Sequence, residues 1–184
     1  MWGIKFSHYY FLKNLDILIM NKEDLKAELI IDEGIRLFPY LDSEKIWSIG
    51  VGRNLEDNGL SPSELFFLGI KLKDKLEIIE LLKKRGLTKD EVLYLLDNDV
   101  DRVISELESK LSWLSSKPDI VKYVLCNMCF NMGIYRLLKF KETLALLKSD
   151  RYNEASIEML KSKWTLQVGE RAQRLSNKIK SLNK

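Results

Sequence analysis

The chain has 184 residues, 46% of them hydrophobic and 31% charged, with a formal net charge of +3. That composition suits one or two packed lobes and excludes a disordered polypeptide, while the mild positive charge is compatible with an anionic partner but far from the profile of a dedicated nucleic-acid binder. The single histidine, His8, excludes a HExxH zinc site and obliges any Ser-His-Asp arrangement to use it, so the 27 acids are the plentiful catalytic material.

The chain opens with MWGIKFSHYYFLKNLDILIM, which is apolar and aromatic but interrupted by Lys13 and Asp16. It has neither an uninterrupted apolar run of about 18 residues nor a small-residue cleavage site, so no ordinary membrane span is expected. Residues 1–20 are taken as an N-terminal extension outside the catalytic core. Asn21 is an N-cap, followed by Glu23 and Asp24 in a first turn, and a helix is predicted over 22–33. Leu25, Leu29 and Glu33 are spaced by four and share one face, and Gly34 is placed to end the helix.

A short β region follows: an extended piece over 37–41 with Pro39 suited to an edge, a DSEK turn at 42–45, and an alternating strand over 46–51. A third extended piece is expected over 54–57. The rest reads as helix. Ser61 caps a helix with Pro62 at its first position, a second helix near 73–85 ends at Gly86 and joins two lobes, and Thr88 caps a third. The apolar stretch SKPDIVKYVLCNMCFNMG, ending at Gly133, is the central core helix, with Met128 and Met132 packed inside. Within it, Cys126 and Cys129 form a lone CNMC with no second CxxC, and read as buried free thiols. Further helices are predicted over 136–149, 151–161 and 168–181. The expected class is α+β and mostly helical: an N-terminal lobe over 21–86 built from a helix, a β-hairpin and a connecting helix, then a helical lobe over 87–184.

In IDEGIRLFPYLDSEKIWSIGVGRN, Glu33 and Asp42 are two acids nine residues apart, and Ser48 follows six residues later. Cutting a glycosidic bond needs a proton donor for the leaving oxygen and a carboxylate on the other side of the sugar. Glu33 suits the donor, because burial and a helix C-terminus both favour its neutral form. Asp42, in a polar turn, suits the ionised role. Taken singly, the two are as easily a surface glutamate at a helix end and a turn-forming aspartate.

Together, the DEG at 32–34, the YLD ending in Asp42 and the SIGVGRN beginning at Ser48 resemble the catalytic region of the phage-type lysozymes, the muramidase endolysins of glycoside hydrolase family 24. NMCFNMG, KFKETLALLKSDRYNEAS, KSKW and ERAQR resemble that family's C-terminal lobe, and LTKDEV with LLDNDV its mid-chain helices. The resemblance runs over about Leu25 to Ile179. Serine stands at position 48 where the family most often has threonine, Arg53 follows the GxG, and the segment from Leu60 to Gly86 aligns poorly.

The resemblance implies a two-lobed lysozyme-like fold and an enzyme, without metal or cofactor, that cuts the β-1,4 bond between N-acetylmuramic acid and N-acetylglucosamine in bacterial peptidoglycan. It implies an inverting course, with Glu33 as general acid and Asp42 with Ser48 directing water. It places Asn54, Phe130 and Thr143 at the glycan. Arg171 would approach Glu33, Gln167 and Trp164 would belong to the C-terminal lobe with Trp164 packing, and Arg53 would pair with an acid to hold the geometry of the lobes. The expected protein is a monomer, made in a host bacterial cytoplasm and acting on the wall after release or after export by its N-terminal segment, in phage lysis of the host. The alternatives are a catalytically silent, glycan-binding protein of the same fold, and a helical nucleic-acid or regulatory protein, suggested by KKR at 83–85 and NKIKSLNK at the end.

Overall fold

The computed structural model describes residues 21–42 and 45–183; His8 and the rest of the N-terminal extension lie outside them. By its internal contacts the chain divides into two units, Lys26–Arg102 and a second in which 21–25 join 103–183. In chain order the elements are α1 (Lys22–Glu33), β1 (Arg36–Leu41), β2 (Trp47–Gly50), β3 (Arg53–Asn54), α2 (Pro62–Phe67), α3 (Lys75–Arg85), α4 (Lys89–Lys110), a 3₁₀ turn (Leu114–Ser116), α5 (Asp119–Met132), α6 (Ile134–Leu137), α7 (Lys141–Lys148), α8 (Tyr152–Met159), α9 (Lys163–Val168) and α10 (Glu170–Lys180).

Local chemistry accounts for most of the boundaries. Asn21 Oδ1 accepts from the backbone N–H of Glu23 and Asp24, at 3.0 and 3.3 Å, so α1 starts at its predicted cap. Ser61 with Glu64, and Thr88 with Glu91, close reciprocal capping boxes at the starts of α2 and α4. Asp74 caps α3, and Gly86 ends it at φ 67°. That glycine is obligatory for a second reason. A Cβ there would lie 2.9 Å from the Phe38 ring and 3.2 Å from the Leu37 carbonyl oxygen. The close approach allows the Leu87 N–H to donate to that same carbonyl at 2.7 Å, tying the α3–α4 corner to β1.

In the first unit the three strands form one antiparallel sheet in the order β1-β2-β3. Arg36 pairs with Gly50 but Tyr40 with Ser48, so β1 carries an irregularity between them. β3 pairs Asn54 with Ser48 and Arg53 with Ile49. The third strand is earlier and shorter than the predicted 54–57, because the Asn54 side chain turns the backbone at once: its Oδ1 accepts from the N–H of Glu56 and Asp57, both at 2.8 Å. Ile49, Val51 and Leu55 are buried with Ile78, Ile79 and Leu82 of α3 and Val92, Leu95 and Leu96 of α4.

The second unit is built on α5, whose Val121, Val124, Leu125 and Met128 are fully buried, as are Ala172, Leu175 and Ile179 of α10. Cys126 and Cys129 are buried free thiols, as expected. Met132, predicted as core with Met128, is half-exposed at the end of α5. The single helix predicted over 136–149 is two, α6 and α7. α9 over Lys163–Val168 was not anticipated; Ser162 caps it by accepting from the Thr165 N–H.

The division of the chain falls inside α4, at Arg102, and not in the Gly86 loop, while α3, expected to join two lobes, lies wholly in the first unit. α4 has 22 residues, and its buried positions run from Val92 to Leu107 without a break. A continuous helix has no loop to mark a change of core, so composition gives no sign of it. No helix among the described residues is long and apolar enough to cross a membrane.

Candidate active site

Glu33 is the last residue of α1 and is half-buried. Beside it runs Gly52, which turns from β2 to β3 at φ 67°. A Cβ on Gly52 would stand 3.4 Å from Glu33 Oε2 and 3.6 Å from its Cγ and Cδ. The acid therefore lies along a stretch of backbone that has no side chain to fill the space.

Asp42 stands at the end of β1. Its N–H donates to the Ile46 carbonyl at 3.0 Å, its carbonyl accepts from Lys45 N–H at 3.0 Å, and its Oδ1 accepts from Ile46 N–H at 2.9 Å. One carboxylate oxygen thus helps to close the turn, with Lys45 in the left-handed region at φ 62°. Ser48 is central in β2 and 2% exposed. Among the described residues its hydroxyl has no hydrogen-bond partner. Buried hydroxyls are almost always paired with protein or water, so this one has bonding capacity to offer.

Directly paired residues of antiparallel strands present their side chains to one face, which puts Tyr40, Ser48 and Asn54 in a row across β1, β2 and β3. Asp42, two residues beyond Tyr40, continues that face. The Tyr40 phenol is pushed above its ordinary pKa by burial first, then by Glu33 and Asp42, while Arg36 acts the other way. The fields of both acids therefore meet at one side chain, and the two carboxylates belong to one neighbourhood.

Arg53 is 6% exposed and does pair with acid, though with two at once. Its Nε and Nη2 donate to Asp99 at 2.9 and 3.0 Å, Nη2 donates to Glu64 Oε1 at 2.7 Å, and Nη1 donates to the Gly59 carbonyl at 3.4 Å. Asn98 donates to Glu64, and Arg102 to Asp99. Burial works against the charged forms, but these bonds outweigh it. They hold the guanidinium protonated and take Glu64 from 4.5 to about 2. The whole network lies in the first unit, where it ties β3 to α2 and α4. Glu64 and Asp99 were not singled out in the sequence, although the S-x-x-E capping pattern and the DNDV stretch were both visible.

The remaining candidates fall in different settings. The Asn54 amide is used within its own loop, Oδ1 in the two bonds above and Nδ2 donating to Asp57 at 2.9 Å. In the second unit, Phe130 on α5 is half-buried and Gln167 on α9 is exposed. Thr143 on α7 is 3% exposed and sits one position before Leu144 among the buried residues of that helix. Arg171 on α10 is 6% exposed, and donates from Nε to Asn127 Oδ1 at 2.8 Å and from Nη2 to the Asn127 carbonyl at 3.1 Å, so it is not a solvated helix charge. Trp164 packs edge-on to Phe140 and donates to Asn131 Oδ1 at 2.9 Å.

A helix ending in glutamate, a small antiparallel sheet and a helical remainder form a lysozyme-like α+β fold. A family model described as Phage lysozyme matches residues 31–181, and the chain belongs to that family. Among its relatives are two proteins of Dictyostelium discoideum. "Probable T4-type lysozyme 2" is 30% identical over 167 residues, covering 82% of this chain and 90% of the relative. "Probable T4-type lysozyme 1" is 32% identical over 166 residues, covering 85% and 94%.

Proposed function

We propose that the protein is a lysozyme that hydrolyses the β-1,4 bond between N-acetylmuramic acid and N-acetylglucosamine in bacterial peptidoglycan. Glu33 is the general acid that protonates the leaving oxygen. Asp42 is the anion on the other side of the sugar, and Ser48 holds the attacking water for it. The reaction inverts, which requires roughly 6.5–9.5 Å between the two carboxyl groups to admit that water. The observation that carries the reading is the placement of the three residues in one unit: Glu33 at the end of α1 beside Gly52, Asp42 in the turn after β1, and Ser48 central in β2 across from Tyr40.

The setting expected from the sequence is phage lysis of a host, whereas the matched relatives are from Dictyostelium discoideum; the proposal is therefore confined to the bond and its chemistry. Purified cell walls cleared by the wild-type protein, and cleared about 10²–10⁴-fold more slowly by Glu33→Gln, are expected for loss of a general acid. Fresh reducing ends should be N-acetylmuramic acid, and proton NMR of the first product should show the α anomer. Equal clearing by Glu33→Gln removes Glu33 from the mechanism. Wild-type protein that binds walls without clearing them is the silent, glycan-binding alternative.

A further inference from the structure

Tyr40 has no role in the mechanism above, yet both acids act on its phenol. Its ring is restrained on one side, with the Arg36 guanidinium carbon 5.3 Å from the ring centre. Across the sheet it is paired with Ser48. The residue is half-buried, and its hydroxyl makes no hydrogen bond among the described residues. A phenol that is restrained, partly desolvated and unpaired is a preorganised donor: ordering it on binding costs little, and leaving it unmatched costs more.

We infer that the Tyr40 hydroxyl is a substrate-binding group of the same site, donating a hydrogen bond to a hydroxyl or acetamido oxygen of the sugar held between Glu33 and Asp42. The inference rests on the proposed glycosidase reading. The raised pKa of the phenol keeps it protonated across the working range, as a donor must be. Both carboxylates would compete for that proton, but neither takes it in the structure, which leaves it for the incoming glycan. Ser48 and Tyr40 then divide the work on one sheet face, one serving water and the other sugar.

The test is Tyr40→Phe, which keeps the ring and its stacking on Arg36 and removes only the hydroxyl. Initial rates on soluble, uncrosslinked peptidoglycan strands should show KM raised about 3- to 10-fold with kcat nearly unchanged, the pattern of a contact made equally in ground and transition states. The melting temperature should stay at the wild-type value. Tyr40→Leu, which also loses the ring, should lose more. A Tyr40→Phe protein with wild-type KM overturns the inference, as does a loss of rate that merely follows a loss of stability. A displaced pH–rate profile with unchanged KM would put the phenol on the carboxylates and overturn it as well. Wild-type protein that cuts no strands defeats the glycosidase reading itself, which is a different result from an active enzyme indifferent to Tyr40→Phe.

Discussion

Replacing Arg53 by leucine removes the one cation that two buried acids share. Glu64 and Asp99 are each 3% exposed, and their carboxylates take three hydrogen bonds of 2.7 to 3.0 Å from Arg53. Breaking a buried pair from one side leaves uncompensated charge, at a cost of about 3–5 kcal/mol. The Arg102 side chain, still 3.1 Å from Asp99 but 42% exposed, recovers only a small part. For a chain of this size each kcal/mol moves the melting temperature by about 2–4 °C, so a drop of roughly 6–20 °C is expected for Arg53→Leu. Adding Glu64→Gln and Asp99→Asn to that variant should restore much of the loss, because neutral amides bury at lower cost and can still meet Asn98 and the Ser61 N–H. Calorimetric melts of the wild type, the single and the triple variant decide the matter. An Arg53→Leu protein melting within about 2 °C of wild type would mean that the network contributes nothing net and that the loop is held by packing alone.

The same network sets the acid stability. The Glu64 pKa is lowered from 4.5 to about 2 in the folded protein, so its contribution is complete above 4.5 and is lost as pH falls through that window towards 2. Urea midpoints measured from pH 5 to pH 2 should fall with pH, and less steeply in Glu64→Gln; parallel curves would refute the assignment. Gly52→Ala should cost about 1–2 kcal/mol for the left-handed backbone and should reduce wall clearing beyond that, since its methyl meets Glu33 Oε2 at 3.4 Å. Melting and lytic rate measured together would separate the two effects, and wild-type clearing would show that Glu33 does not need this gap. Cys126, pushed up to about 12 by burial and then by Cys129 and Glu108, should ignore a thiol reagent at pH 8 until the protein is unfolded, when both thiols react. Rapid labelling of the native protein would contradict that burial.

Helix starts were legible because each is written in a few adjacent residues: Asn21, Ser61 and Thr88 each carry their acid two or three positions on, and each caps as the pattern requires. The order of Glu33, Asp42 and Ser48 along a helix, turn and strand was legible for the same reason. The missing pieces are those whose cause is remote in sequence. Nothing near Asn54 says that its amide will bond within its own loop, and nothing near Thr143 says which face of α7 turns inward. Arg53 advertised a charge, but its partners stand 11 and 46 residues away on two helices.

The chain by itself determined which segments become helix or strand, where they begin, and the family to which they belong, because caps, turns and motif spacing act over a few bonds. Only the tertiary structure decided which groups meet. It brought Glu33 against Gly52, set Tyr40 across from Ser48, and enclosed Arg53 between Glu64 and Asp99. Those meetings depend on burial and register, which belong to the packed whole and are written at no single position.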